Sequence, residues 1–356
     1  MSCCDHDHHE HPHEDDDDIA EMHHFREIVD SMKNYRIDCD IASLDQKTKT
    51  AVGINARFLD SIVADSGALF GDSAGSVTEP AQPTASHNVS KVRSTLKQFV
   101  REWSKEGAEE REKCFTPLLE GLTKYLPING NSSPAPFVLC PGSGLGRLPY
   151  EIASLGYECQ GNEFSYHMLL GSHFILNSPK ISASESAVLF PYALSYANVR
   201  SSETDRLRPI RIPDILPGRT KGQMSMCAGE FVEVYERQGY GIADGIVTCF
   251  FIDTAKNILL YIRTIANAIK EGGVWINMGP LLYHYAEHHD AISVEFSWEE
   301  VREFISDFFH IEDEKTGIEC VYSSNNRAMN KTVYKCIYFA ARRNGKLVDG
   351  YSNPVF

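Results

Sequence analysis

Three glycines, Gly142, Gly144 and Gly146, form the segment of this chain whose residue types and spacing point most clearly to chemistry. They follow the apolar run FVLC, and a helix-like run, a second strand-like run and Glu163 come after them. Glycines two residues apart let the backbone pass close beneath a ligand, where a Cβ atom would collide. A carboxylate about twenty residues after such a turn is placed to bind a ribose. The segment therefore predicts a nucleoside pocket.

The spacing of the glycines also indicates which nucleoside is bound. A dinucleotide-binding turn needs its third glycine one position later, where this chain has Arg147. The GxGxG pattern therefore favours S-adenosylmethionine, and a nicotinamide-dependent dehydrogenase is the alternative. Glycine-rich turns also occur without any ligand, so the glycines alone do not decide between a binding site and a plain turn.

Other polar residues follow runs that are predicted to be strands. Open α/β sheets bind their ligands at the carboxyl ends of their strands. Asp253 closes the apolar run GIVTCFFID, and His284 follows the strand VWIN within GPLLYH. An acid in this position can instead cap the next helix, so Asp253 has two interpretations. On the helix from Val92 to Trp103, Gln98 and Arg101 share a face separate from the apolar one. The spacing predicts that they are free to bind a ligand there, although an exposed arginine is more often only solvated.

The alternation of strands and helices after Phe137 predicts an α/β fold with a doubly wound, Rossmann-like sheet. A helix with Ile258 and Ile262 should end near Gly272, where the next strand begins. Apolar residues at helical spacing before the glycine turn predict an added N-terminal helical region. The expected divisions are a disordered His/Asp-rich tail over 1–18, a helical region over 19–125 with a flexible loop at 67–88, a Rossmann-like domain over 126–345 with an insertion at about 180–225, and a C-terminal tail over 346–356.

Composition limits the classes of partner. The chain has 356 residues and is 42% hydrophobic. Its net charge of −15 would repel a phosphate backbone, so we expect no nucleic acid partner. The ten cysteines include no CxxC pair, which indicates reduced thiols. No signal peptide and no bilayer-spanning apolar run are evident, so we expect no membrane association and a cytoplasmic location, with the nucleus as a second compartment. The sequence leaves a homodimer open.

Two segments contain residues that bind metals elsewhere. The first eighteen residues hold five histidines and two cysteines, which suit zinc, nickel or copper, although a solvated tail is the simpler interpretation. His284, Glu287 and His288 spell HxxEH, the pattern of inverted zinc peptidases. That pattern needs one continuous helix and a further ligand, whereas this segment follows a strand and a Gly-Pro turn. We therefore expect no metal site.

The chain resembles the carnosine N-methyltransferase family. The resemblance lies in PGSGLGRLPYEIASLGYECQGNEFSYHML and, in the same order along the chain, in VRSTLKQFVREWSKEG, TCFFIDTAKNILLYI, GGVWINMGPLLYH and YKCIYF. It extends from about Phe25 to Arg343. The resemblance implies a class I methyltransferase sheet that uses S-adenosylmethionine. The implied reaction methylates an imidazole nitrogen of carnosine, giving anserine, or of a related histidine dipeptide, and methylation of histidine in peptides or proteins is the alternative.

The resemblance also implies roles for individual residues. Cofactor-binding positions of the family match Gln98, Arg101, Gly142, Glu163, Glu230 and Cys249. Substrate positions match Asp253, His284 and Tyr334, and the first two are the expected catalytic residues. Glu230 departs from the family, which usually has an aspartate after Ala-Gly at this point. A catalytically silent cofactor-binding protein would be expected to lack the acid and the histidine, and both are present.

Overall fold

The computed structural model describes residues 14–39, 43–65, 86–128, 134–181, 186–237, 240–286 and 293–348. Several expectations fall outside these ranges. Residues 1–13 of the tail predicted over 1–18 are not among the described residues. The same holds for residues 67–85 of the loop predicted at 67–88, and for residues 349–356 of the predicted C-terminal tail. Glu287 and His288 of the HxxEH pattern also lie outside the described residues.

Five helices precede the sheet within the described residues, which confirms the helical N-terminal region. They are α1 (Glu14–Lys33), α2 (Tyr35–Asp38), α3 (Gln46–Asp65), α4 (Ser86–Trp103) and α5 (Ala108–Tyr125). Phe58 of α3 packs edge-to-face against Phe99 at 5.0 Å and against Phe174 at 5.5 Å between ring centroids. Because Phe174 belongs to a helix that flanks the sheet, the N-terminal helices and the sheet share one apolar core.

In the part of the chain that the structure describes, nine strands follow: β1 (Phe137–Pro141), β2 (Glu158–Glu163), β3 (Ala187–Leu189), β4 (Ile210–Ile212), β5 (Met224–Ala228), β6 (Ala243–Cys249), β7 (Ile269–Gly279), β8 (Phe309–Cys320) and β9 (Tyr334–Arg343). Seven of them form one sheet in the order β5-β2-β1-β6-β7-β9-β8. The first five are parallel, and β9 runs antiparallel between β7 and β8. The strand order reverses between β1 and β6, and such a point is where open α/β sheets bind ligands.

Helices cover both faces of this sheet. They are α6 (Arg147–Leu155), α7 (Tyr166–Asn177), α8 (Phe231–Arg237), α9 (Ile258–Ala268) and α10 (Trp298–Phe308). On one face Trp275 of β7 packs against Phe339 of β9, with ring centroids 4.8 Å apart, beneath α9 and α10. On the other face Leu118 of α5 packs with Ile276 of β7. The predicted Rossmann-like α/β fold is confirmed.

The prediction of one continuous strand over Gly245–Asp253 is wrong from Phe250 onward. β6 stops at Cys249, because Phe250 adopts a left-handed backbone conformation with φ +53°. The chain then forms a single 3₁₀ turn, Ile252–Thr254, which contains Asp253. The acid therefore lies on a turn after the strand.

The boundary between α9 and β7 also differs from the expectation. α9 ends at Ala268, and β7 begins at Ile269, which pairs with Ala243 of β6. Gly272, with φ +75°, lies in an irregular stretch of β7, where the β6 pairing shifts register. Gly272 therefore lies at a bulge within β7, whereas the sequence predicts that it ends α9.

The insertion predicted at about 180–225 contains regular elements. β3 and β4 pair antiparallel, and one turn of π-helix, Ser202–Arg206, lies between them. Asp214 joins this segment to the rest of the fold through Arg111 and Arg147.

No described helix is long and apolar enough to cross a membrane. The eight cysteines within the described residues all carry free thiols, which agrees with the expectation of reduced cysteines.

Candidate active site

The glycine turn joins β1 to α6 and is packed on both sides. Gly142 and Gly144 have φ +65° and +56°. A Cβ atom on Gly142 would lie 2.6 Å from Phe251 Cδ2, and one on Gly144 would lie 2.5 Å from Glu102 Oε1. Both positions therefore require glycine, for conformation and for space.

Glu163 at the end of β2 is fixed against this turn. Its Oε2 accepts the Gly144 amide at 2.8 Å, and its Oε1 accepts the amides of Phe164 at 2.9 Å and Ser165 at 2.8 Å. Burial raises the pKa of Glu163, and the amides oppose that shift. A carboxylate has about four acceptor sites, so a hydroxyl group of a ligand can still be bound.

Arg101 does not lie on a free helix face, contrary to the expectation from spacing. It is 6% exposed, and its Nε donates to Glu110 Oε1 at 2.7 Å. Its guanidinium lies over the Tyr322 ring at 4.6 Å, and Nη2 is 3.9 Å from Cys249 Sγ at the end of β6. The face is covered because α5 and the segment after β8 pack over it. Arg101 is thus a buried cation beside the carboxyl edge of the sheet.

Gln98, one turn earlier on α4, lies at the same edge. Its Nε2 donates to the Tyr322 hydroxyl at 2.8 Å. Its Oε1 is buried and has no hydrogen-bond partner among the described residues. A buried acceptor without a donor is costly, which suggests that a ligand supplies one.

Glu102 is a site residue that sequence reasoning missed. It is 3% exposed, and its two oxygens accept the amides of Leu145 and Arg147, each at 3.2 Å. Burial raises the pKa of Glu102 to about 7, although Arg101 and the two amides favour its ionised form. A glutamate on a helix more than forty residues before the turn gives no local signal, so spacing could not reveal it.

The raised pKa of Glu102 predicts a distinct pH dependence of stability. Unfolded glutamate loses its proton near its ordinary pKa of 4.5, whereas folded Glu102 keeps it to about 7, so the wild type loses unfolding free energy as pH rises between these values. Glu102→Gln lacks this loss. Between pH 4.5 and 7.5 the unfolding free energy of the variant should therefore rise relative to wild type by about 3 kcal/mol.

Urea denaturation across this pH range measures the difference directly. Glu151→Gln is the matched control, because Glu151 pairs with Arg147 at 2.7 Å but is partly exposed. A constant difference between Glu102→Gln and wild type would contradict this account of Glu102.

Asp253 and His284 are brought together. Asp253 is 2% exposed, its Oδ2 accepts the Leu282 amide at 2.9 Å, and its main-chain oxygen accepts the His284 amide at 3.0 Å. Burial raises the pKa of Asp253, and the neighbouring His284 opposes that shift. The Asp253 carboxylate does not cap α9, since the Asn257 side chain accepts the Leu259 amide there at 3.0 Å. Asp253 is therefore free of the capping role that the sequence left open.

Three aromatic rings lie close together near the carboxyl edge of the sheet. Phe250 lies 4.9 Å from Tyr322 and 6.0 Å from Tyr334, between ring centroids. Tyr334 was expected at the site, whereas Phe250 and Tyr322 were not. Phe250 immediately follows Cys249, and its left-handed backbone is unusual for a large side chain. Strained conformations of this kind often accompany functional sites.

Glu230 follows β5 at the far side of the turn. Its Oε2 accepts the Glu233 amide at 3.0 Å, and its carboxylate lies near the Tyr261 hydroxyl. Tyr261 stacks on Phe251 at 4.8 Å, and Phe251 is the residue packed against Gly142. A continuous set of contacts therefore joins Glu230 to the glycine turn.

The described residues contain no group of three or more histidine, cysteine, aspartate or glutamate side chains placed to hold a metal ion.

This strand order, with a glycine turn after β1 at its carboxyl edge, is that of a Rossmann-like methyltransferase fold. The chain belongs to the carnosine N-methyltransferase family, whose model matches residues 78–345. Carnosine N-methyltransferase of Mus musculus is 40% identical over 264 residues, which cover 73% of this chain and 65% of the mouse protein. The chain thus matches somewhat less than two thirds of that relative's length.

Proteins of the same name from two other organisms are also similar to this chain. The Schizosaccharomyces pombe protein is 40% identical over 71% of this chain and 70% of its own length. The Dictyostelium discoideum protein is 34% identical over 92% of this chain and 72% of its own length. A solved S-adenosylmethionine-dependent methyltransferase from Methanosarcina mazei is 13% identical over 60% of this chain and 94% of its own, with a TM-score of 0.38.

Proposed function

We propose that the chain is an S-adenosylmethionine-dependent N-methyltransferase that methylates an imidazole nitrogen of carnosine, giving anserine, or of a related histidine dipeptide. The observation that carries this proposal is the buried Asp253 carboxylate, held by the Leu282 amide beside His284. It stands at the same sheet edge as the glycine turn, to which Phe251 connects it. Membership of the family supports the choice of substrate.

The residues at the turn fit the proposed methyl donor. Glu163 would bind the ribose hydroxyls, and Glu230 would lie on the adenine side. The orphaned Oε1 of Gln98 suits an ammonium group, and Arg101 suits a carboxylate, the two charged ends of a methionine moiety. Cys249 would form part of the wall of the cofactor pocket. When bound, the cofactor supplies an electrophilic methyl group on a positively charged sulfur.

Asp253 explains how the chain would activate the substrate ring. An unperturbed imidazole has a pKa near 6.5, so it is mostly neutral at neutral pH and needs orientation more than deprotonation. One Asp253 oxygen is bound by the Leu282 amide, and the other would accept the N–H of the nitrogen that is not methylated. This contact fixes the tautomer and stabilises the positive charge that develops on the ring. His284 would hold the polar groups of the dipeptide or share that proton.

The aromatic residues support an imidazole substrate. Phe250, Tyr322 and Tyr334 offer ring faces, with Phe250 within 6.0 Å of each of the other two rings. Flat rings stack on imidazole and attract the cationic methylated ring. A small planar substrate therefore suits this part of the site.

Methylation of histidine in peptides or proteins is the second candidate, because it needs the same ring chemistry. A comparison of carnosine with histidine-containing peptides of increasing length separates the two. We expect methylated carnosine as the main product, and transfer to the longer peptides alone would contradict the dipeptide assignment. A dehydrogenase is tested by titration with NADH, for which we expect no binding.

We also propose a cytoplasmic location, with the nucleus as a second compartment, and a small peptide as the partner. The net charge of −15 argues against a nucleic acid partner. The free thiols of the described residues suit a reducing compartment. A homodimer is compatible with these features.

A further inference from the structure

The amino end of α6 is the place where phosphate-binding glycine turns hold their ligand. Free amides and the helix dipole bind the phosphate oxygens in such turns. In this chain the helix begins directly after Gly146, which supplies no side-chain cap. The amides of Leu145 and Arg147 are instead bound by the two oxygens of Glu102, each at 3.2 Å.

Glu102 is held firmly in that position. Its Oε1 lies 3.8 Å from Arg101 Nη1, and its main-chain oxygen accepts Arg147 Nη1 at 2.9 Å. Arg147 is in turn bound by the mostly buried Asp214 at 2.7 Å. The Glu102 carboxyl group is therefore fixed at the turn and covers both amides.

We infer that Glu102 sets the ligand specificity of the glycine turn by excluding phosphate-bearing nucleotides from the amino end of α6. A phosphate group there would find its amides occupied and would face a buried carboxylate of like charge. An adenosine ligand without phosphate meets neither obstacle. The inference rests on the proposed function, because it concerns the same cofactor site.

Two adenosine ligands test the inference. ADP carries a diphosphate, whereas S-adenosylhomocysteine carries an amino acid moiety. Their dissociation constants are measured by calorimetry at pH 8, where Glu102 is ionised. Wild type should bind S-adenosylhomocysteine far more tightly than ADP. Glu102→Gln keeps the side-chain shape without the charge and should narrow the ratio at least ~10-fold through tighter ADP binding.

Glu151→Gln is the control, because Glu151 pairs with Arg147 but binds neither turn amide. Its ratio should stay within about twofold of wild type. An unchanged ratio in Glu102→Gln, or one narrowed only through weaker S-adenosylhomocysteine binding, overturns the inference. Glu102→Ser provides a second test if the glutamine variant does not fold, and loss of folding in both shows a purely structural role. Wild type that does not bind S-adenosylhomocysteine contradicts the proposed function itself.

Discussion

Replacing Asp253 by asparagine is expected to lower kcat with carnosine at least ~100-fold, the range measured when a group that stabilises developing charge is removed. The asparagine oxygen can still accept the Leu282 amide, which Asp253 Oδ2 accepts at 2.9 Å. Its NH₂ group then faces the substrate and meets the ring N–H, donor against donor. The variant should therefore fold normally but fail to hold the reactive tautomer.

Binding and turnover must be measured on the same preparation. Calorimetry should give the wild-type affinity for S-adenosylmethionine, while the transfer assay shows the loss. Asp307→Asn is the matched control, because Asp307 is an exposed acid on α10 paired with Lys346 at 3.1 Å. Near wild-type turnover in the Asp253 variant would remove Asp253 from its proposed role.

Replacing Arg101 by methionine is expected to cause the largest loss of affinity for S-adenosylmethionine. Loss of a buried charge that binds a carboxylate should weaken S-adenosylmethionine binding by ~100-fold. The variant should also lose about 3 kcal/mol of unfolding free energy, because Glu110 keeps its burial without its cation.

A double variant separates these two effects. Adding Glu110→Gln to Arg101→Met removes the unpaired carboxylate and should restore much of the stability, but not the affinity. Arg93→Met is the control on the same helix, since Arg93 donates to the Leu194 carbonyl at 3.0 Å, away from the turn. Affinity within a few-fold of wild type in Arg101→Met would show that Arg101 serves only the fold.

Local spacing was sufficient to predict the glycine turn and Glu163, because strand, turn, helix and acid are consecutive in the chain. The same reasoning about strand ends placed Asp253 and His284 at one edge, since parallel strands present their carboxyl ends together. It missed the backbone bend at Phe250, because an apolar run shows no sign of a residue that must adopt φ +53°.

The remaining site residues depend on contacts between distant segments. Glu102 reaches the turn from α4, and Tyr322 reaches Gln98 from beyond β8. No periodic pattern links such positions. Arg101 was expected to be exposed because charged residues on helices usually are. Its burial depends on Glu110 of the next helix, which neutralises the charge at 2.7 Å.

Transfer of a methyl group from deuterium-labelled S-adenosylmethionine to carnosine, detected by mass spectrometry, tests the central claim most directly. With purified wild-type protein we expect a labelled methylcarnosine whose fragments place the label on an imidazole nitrogen. We expect the Asp253→Asn protein to form almost none. A label found on the β-alanyl amine, or no labelled dipeptide from folded protein that binds the cofactor, would contradict the account.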